Sequence, residues 1–311
     1  MASVENVKKT FDYIFKEIGK VIVGQEEMLR QMMIAIFCDA NGLVESYPGL
    51  AKTLSVKTMA EILDLKFSRI QSTPDLMPSD ITGTYIIEET DGKRLFKFQP
   101  GPIFANIVLA DEINRATPKT QSALLEAMQE KQVTVGNKTF ELDRPFFVLA
   151  TQNPIEQEGT YPLPEAQSDR FLLKIKMGYP QFDEEVEILN RYTEDREPVQ
   201  LKPILKKASI ISLQHLVRQI PISTDLKKYA VEITNKTRAK KDLIEYGASP
   251  RASMGMVLAS KARALMDGRK YVSKSDINAM ALPVLRHRII LNFEAERQGL
   301  DVDQVIQKLL S

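Results

Sequence analysis

Apolar positions in the first half of the chain alternate between two periods. Phe11, Ile14, Phe15 and Ile18 recur at helical spacing, as do Val56, Met59, Ala60 and Leu63 and, further on, Leu124, Leu125 and Met128. Between them lie short continuous apolar runs: Leu43-Val44, Ile107-Val108-Leu109-Ala110 and Phe146-Phe147-Val148-Leu149-Ala150, with briefer segments at 67–70 and 171–175. A run that is apolar at successive positions reads as a strand covered on both faces, and strands alternating with helices predict an α/β fold with a parallel sheet. Two hairpins interrupt this alternation. Tyr85-Ile86-Ile87 and Leu95-Phe96-Lys97-Phe98 flank an Asp91-Gly92 turn, and Val133-Thr134-Val135 and Thr139-Phe140-Glu141-Leu142 flank Gly136-Asn137.

Beyond Gly178-Tyr179-Pro180 the pattern is helical alone, with stripes at Leu213, Leu216, Val217 and Ile220, at Leu226, Tyr229, Ala230 and Ile233, and at Ile277, Met280 and Val284. Start signals precede several helices: Thr117 before Pro118, Ser249 before Pro250, and Ser273 paired with Asp276. The expected organisation is an α/β domain over residues 1–180 and a smaller all-α domain over 181–311.

Length and composition narrow the chemistry. A chain of 311 residues buries a sizeable core without crosslinks. Cys38 is its single cysteine, which excludes internal disulfides and cysteine-based zinc sites and makes a reducing cytoplasm the expected compartment. With His215 and His287 as the only histidines, triad and Cys/His catalysis have little material. Lys plus Arg, 42, nearly balances Asp plus Glu, 41, so no overall basic field attracts nucleic acid or anionic membrane. No apolar segment has the length to span a bilayer.

The chemistry-bearing stretch is 46–53, Ser-Tyr-Pro-Gly-Leu-Ala-Lys-Thr, set between an apolar strand and a helix. In that order the turn's N–H groups and the helix N-terminus face one anion, Lys52 reaches the β- and γ-phosphates, and the Thr53 hydroxyl ligates Mg²⁺. The phosphate-loop pattern wants glycine where Ser46 and Ala51 stand. Ala51 is expected to open the helix at negative φ, where a Cβ is tolerated, whereas Ser46 puts the loop conformation in question. The plain alternative is a Pro-Gly turn before an ordinary helix. Asp111 and Glu112 end the second apolar run, where acids face the ligand crevice of a parallel sheet: Asp111 for the metal shell, Glu112 to deprotonate an attacking water. Asn153, after the third run, is a candidate to bond that water or the γ-phosphate, or else a turn residue before Pro154. Ile22 and Val23 offer an apolar edge for adenine or a buried hinge. Arg251 falls in a helix's first turn, where a cation opposes the dipole, so either an outside anion or plain solvation accounts for it. Candidate ATP contacts are thus Ile22, Val23, Gly49, Leu50, Ala51, Lys52, Thr53 and Leu54. Asn235-Lys236 is followed by Thr237-Arg238 rather than a guanine-reading element, leaving adenine as the base.

Five stretches together resemble the MoxR branch of the AAA+ ATPases: 48–53 Pro-Gly-Leu-Ala-Lys-Thr; 73–83 Thr-Pro-Asp-Leu-Met-Pro-Ser-Asp-Ile-Thr-Gly; 109–116 Leu-Ala-Asp-Glu-Ile-Asn-Arg-Ala; 150–167, from Ala-Thr-Gln-Asn-Pro to Pro-Glu-Ala-Gln; and 247–252 Gly-Ala-Ser-Pro-Arg-Ala. The resemblance implies a P-loop AAA+ core with a helical lid, Walker A at Gly49, Lys52 and Thr53, Walker B at Asp111 and Glu112, sensor 1 at Asn153, an arginine finger at Arg170 and sensor 2 at Arg251. It further implies ATP and Mg²⁺ as cofactors, hairpins facing the pore of a ring of copies, expected to be a hexamer, and chaperone-like maturation of a client protein. Metal cofactor insertion and a von Willebrand factor A domain partner belong to the same implication. The chain departs from the family at Ser46, in the short strand before it and in the short connection at 238–243. Two other readings stand beside this one: a nucleotide-dependent scaffold with little turnover, suggested by Ser46, and a DNA-remodelling ring motor, opposed by the balanced charge.

Overall fold

In a computed structural model, covering residues 4–90, 93–155, 159–195, 197 and 199–310, the apolar runs become the middle of one sheet. The chain begins with helices α1 (Val4–Ile18) and α2 (Glu26–Phe37), then strand β1 (Gly42–Ser46) and helix α3 (Lys52–Ile62). It continues through β2 (Phe67–Gln71), α4 (Pro78–Thr82), a hairpin of β3 (Gly83–Thr90) and β4 (Lys93–Pro100), and β5 (Ile107–Asp111). A short 3₁₀ turn (Ile113–Arg115) leads into α5 (Pro118–Glu130), a second hairpin of β6 (Gln132–Val135) and β7 (Lys138–Glu141), then β8 (Phe147–Gln152), α6 (Glu165–Ser168) and β9 (Leu173–Met177). The Asp91-Gly92 turn, and Glu156, Gln157 and Glu158 of the longest motif, lie outside the described residues.

The five sheet strands are parallel, in the order β2-β5-β8-β1-β9. Side chains alternate across it as strand geometry requires. Leu109, Leu149 and Ile175 enter one core with α1, α2 and α3, while Val108, Ala110, Val148 and Ala150 enter a second with Leu124, Leu125 and Met128 of α5. Because all five strands run the same way, the ends of β1, β5 and β8 open on one edge, which is where an α/β sheet binds its ligand.

The hairpins project from this body and are joined to each other by aromatic rings. Phe98 stacks on Phe140 with centroids 4.2 Å apart, and Phe104 meets both edge-on. Further out on the first hairpin Ile87, Leu95 and Phe96 are exposed.

The second region comprises α7 (Phe182–Thr193), α8 (Lys207–Gln219), α9 (Thr224–Ala239), β10 (Ile244–Tyr246), α10 (Pro250–Met266), α11 (Lys274–Leu285), β11 (Ile290–Leu291), α12 (Phe293–Arg297) and α13 (Val302–Leu310). To the expected helices it adds a small antiparallel ribbon, Ile244 pairing with Leu291. The short connection before the ribbon closes without strain on one carbonyl, the N–H groups of Leu243 and Ile244 both returning to Lys240 at 3.2 and 2.8 Å. Helix α10 is central, packing on α11, α9 and α8 as well as on α1 and α2. Among the described residues no helix is long and apolar enough to cross a membrane.

Candidate functional site

The loop after β1 is shaped by three residues of different conformation. Ser46 is buried, its hydroxyl donates to the Tyr47 carbonyl at 3.2 Å, and it is not among the residues with positive φ, so its Cβ costs the loop nothing. Gly49 has φ +81° with open space where a Cβ would sit. Ala51 corrects the sequence expectation: it is left-handed, with φ 56°, and forms the N-cap of α3, which begins at Lys52. The chain must reverse sharply to present the first N–H groups of α3 to one point. Ala51 is held in this turn by the Ser55 N–H and hydroxyl, which both donate to its carbonyl at 2.9 and 3.1 Å.

Helix α3 has no side-chain cap and no acid in its first turn. Its leading N–H groups therefore keep their capacity for an outside anion, reinforced by the helix dipole and by Lys52. Ile22, Val23, Gly49, Leu50, Ala51 and Leu54 all line one cavity of about 340 Å³ beside this helix end. Lys52 and Thr53 occupy the first turn next to it.

The far wall of the cavity was not visible in the sequence pattern. It is α7, contributing Ile188 and Tyr192, with Pro180 ahead of it. Gly24, at φ +66°, faces α7, the Glu184 carboxyl lying 2.5 Å from where a Cβ would stand. Gln25 adds a tie, its amide donating to the Gly178 carbonyl at 2.8 Å. Helix α7 has no buried residue of its own.

Asp111 and Glu112 lie one strand away, since β8 separates β5 from β1. Thr151 of β8 connects them, donating its hydroxyl proton to Asp111 Oδ1 at 2.7 Å and accepting the Glu112 N–H at 2.8 Å. The other oxygen of Asp111 is paired with Arg69 of β2 at 2.6 Å. Glu112 has left the strand: its φ is 54°, and its carboxylate meets Arg115 at 3.0 Å and the Gln71 amide at 3.3 Å. A glutamate held left-handed costs of order 1–3 kcal/mol, the kind of strain that gathers at functional sites. Arg69, Gln71, Arg115 and Thr151 carried no periodic signal, although a cation inside a strand beside an acid-ended one was a usable hint.

Asn153 is buried just past the end of β8, and its side-chain Oδ1 accepts the Ile155 N–H at 3.2 Å, closing a turn across Pro154. Arg251 stands in the first turn of α10, as the Ser249-Pro250 signal requires, and the anion it meets is in this chain: Asp169, 3.7 Å away. Arg170, the next residue, is exposed, and no side-chain partner of it is found among the described residues. His287 is half-buried; desolvation of its ring and the neighbouring Arg288 push its pKa well below the usual value, and its Nε2–H donates to the Phe171 carbonyl at 3.0 Å, a structural role.

Comparison with known proteins bears on this arrangement. A model of the ATPase family associated with various cellular activities (AAA) matches residues 41–173, and a model of the AAA lid domain matches residues 236–309. The uncharacterized protein YeaC of Bacillus subtilis strain 168 is 43% identical over 311 residues, spanning 100% of this chain and 96% of that protein. Chaperone MoxR1 of Mycobacterium tuberculosis is 43% identical over 309 residues, covering 97% of this chain and 81% of its own length. A crystal structure of a protein from Cytophaga hutchinsonii, described as a candidate ATPase, superposes with TM-score 0.92 at 44% identity, covering 99% of this chain and 95% of the other. Nucleotide-loop geometry, sheet order, lid and relatives agree: the chain belongs to the MoxR branch of the AAA+ ATPases.

Proposed function

We propose that this chain hydrolyses ATP and uses the cycle to move its lid, its hairpins and neighbouring copies against a protein client. The observation that carries the reading is the uncapped, acid-free N-terminus of α3 beside the cavity, with the Glu112 carboxylate one strand away. In this reading the nucleobase lies between Ile22-Val23 and the α7 wall, and the phosphates lie on the turn at Gly49–Ala51 and on Lys52. Glu112 takes a proton from the attacking water and Asn153 orients it. Arg251 in the same subunit and Arg170 from an adjacent one face the terminal phosphate. Thr53 and Asp111 are hard-oxygen donors of the class Mg²⁺ accepts, and one or two such ligands suffice when phosphate oxygens and water complete the shell. When bound, the metal would neutralise phosphate charge.

The client side rests on the first hairpin and on kinship. Among its described residues Glu88 pairs with Lys97 at 3.0 Å and Glu89 with Arg94 at 3.7 Å, while Ile87, Leu95 and Phe96 are exposed. Such a surface suits protein better than phosphate backbone, which weighs against the DNA motor. Ser46 is the main support for a scaffold with little turnover, and its backbone, which has no left-handed φ, withdraws that support. A relative named a chaperone supports client maturation, with metal cofactor insertion and a von Willebrand factor A domain partner as the specific form we propose. Assembly as a hexameric ring and a cytoplasmic site of action complete the reading. Lys52→Ala is expected to abolish ATP binding, whereas Glu112→Gln keeps ATP bound and lowers turnover. Equal loss of ATP affinity in the two variants, by calorimetric titration, overturns the assignment of Glu112.

A further inference from the structure

The segment 169–172, between α6 and β9, is gripped by the lid at one acidic side chain. Asp169 Oδ1 accepts from Arg288 Nε at 2.7 Å, and both of its oxygens lie within 3.0 Å of the Ser249 hydroxyl. The Arg288 side chain is itself only 3% exposed and reaches further along the same segment, to the carbonyls of Asp169 at 3.0 Å and Leu172 at 3.1 Å. Arg251 holds the same carboxylate from the other side, but at 3.7 Å and with its side chain 47% exposed. Asp169 therefore has one buried, well-bonded cationic partner and one loose, solvent-facing one. A half-exposed pair of that kind shifts an equilibrium by only about two- to fivefold. A terminal phosphate, with more charge and more acceptor oxygens, outcompetes it for a guanidinium. One peptide bond beyond Asp169 stands Arg170, exposed and set in position by this same segment.

We propose that Asp169 is a positioning residue that couples the two arginines: it holds Arg251 aside while the terminal phosphate is absent, and surrender of Arg251 to that phosphate loosens the segment carrying Arg170 toward the neighbouring subunit. The inference rests on the reading of Arg251 and Arg170 as phosphate-facing groups. It differs from it in assigning the link to a residue that touches neither nucleotide nor water. ATP in one subunit thereby adjusts the arginine offered to the next, with ADP, lacking the terminal phosphate, leaving the Asp169–Arg251 pair in place.

The test is a titration of ATP and ADP into Asp169→Asn, Arg251→Ala and the double variant, with turnover measured on the assembled protein. Asp169→Asn removes the charge but keeps an acceptor for Ser249 and Arg288. It is expected to tighten ATP by roughly two- to fivefold, the competition being gone, to leave ADP unchanged, and to raise turnover at sub-saturating ATP by the same factor, the Arg170 segment being already released. The tightening should vanish in the Arg251→Ala background. A merely structural Asp169 would instead weaken both nucleotides together. If Arg251→Ala weakens ATP selectively while Asp169→Asn leaves ATP unchanged or weaker, the coupling is wrong and the ATPase reading stands. If Arg251→Ala leaves ATP unchanged, the assignment of Arg251 falls and the coupling with it. Should Asp169→Asn fail to fold, the otherwise unaltered chain answers: a non-hydrolysable ATP analogue, but not ADP, should change amide exchange at Phe171 and Leu172, and Arg251→Ala should abolish the change. Equal exchange with the analogue and with ADP overturns the proposal.

Discussion

Ala51 carries a methyl group through a left-handed turn, at φ 56°, where its Cβ crowds the following carbonyl at a cost of roughly 1–2 kcal/mol. Glycine would relieve that, while adding about 0.5–1 kcal/mol of backbone entropy to the unfolded chain. Ala51→Gly is therefore expected to be neutral to stabilising, raising Tm by up to roughly 3 °C in a calorimetric scan. Ser46→Gly has no left-handed strain to relieve. It should lower stability by roughly 0.5–1 kcal/mol and leave ATP affinity unchanged; a gain in Tm for it, or a clear loss for Ala51→Gly, would contradict this division. At this scale the sequence placed a turn between β1 and α3 with Lys52 at the helix start, as observed, but expected negative φ at Ala51, which is left-handed. The pattern marks which positions lack glycine. It does not tell which of them bends left, because that depends on where the Ser55 amide and hydroxyl find an acceptor.

At the scale of elements, strands and hairpins were legible because each is coded within a few residues by alternation and turn chemistry. Sheet order was not, and neither was the α7 wall of the cavity, which meets Gly24 and is tied through Gln25 to Gly178 across a long stretch of chain. The start of α11 illustrates a local code with distant consequences. Ser273 and Asp276 were read as a cap, and the structure shows Asp276 also bonded to Arg269 at 2.5 Å and paired with Arg263 at 3.3 Å, while only 1% exposed. Burial alone would raise the Asp276 pKa, but Arg269 and the Ser273 N–H and hydroxyl hold it below the usual carboxylate range. A carboxylate depressed in the folded state contributes stability above its unfolded pKa of about 3.9, and that contribution is lost as pH falls through the folded value. Acid should accordingly loosen the lid below roughly pH 4. Asp276→Asn should flatten that dependence and, by removing the carboxylate that Arg263 and Arg269 share while Arg269 keeps Asp267 at 3.0 Å, cost roughly 1.5–3 kcal/mol at neutral pH, measured by urea melts across pH. The hairpins make a second case. Phe140→Ala removes the ring on which Phe98 stacks, so amide protection along β3 and β4 should fall by the equivalent of about 0.5–1.5 kcal/mol while the central sheet is unaffected.

For the whole molecule, the proposed division of labour between subunits makes activity a property of the assembly. Arg170→Ala and Lys52→Ala should each be nearly inactive alone, because a finger supplied in trans raises turnover by roughly 10³ to 10⁵ in comparable phosphoryl transfers. Mixed, they should partly recover, as some interfaces then join an intact Lys52 site to an intact Arg170. Absence of recovery in particles shown to contain both variants would mean that Arg170 works in its own subunit or is structural. The lone cysteine offers a way to watch the same molecule from inside. Cys38, at the end of α2, is 2% exposed and its thiol points at the Leu258 carbonyl of α10, 3.5 Å away, across the seam between sheet domain and lid. Burial pushes its pKa far above the ordinary thiol value, so the reactive thiolate is absent while the seam is shut. Alkylation of Cys38 thus becomes a stopwatch for the parting of the two domains. Labelling should be slow in buffer, faster in mild urea and slowest with ATP bound. Equal rates with and without nucleotide would mean that the seam does not feel the ligand.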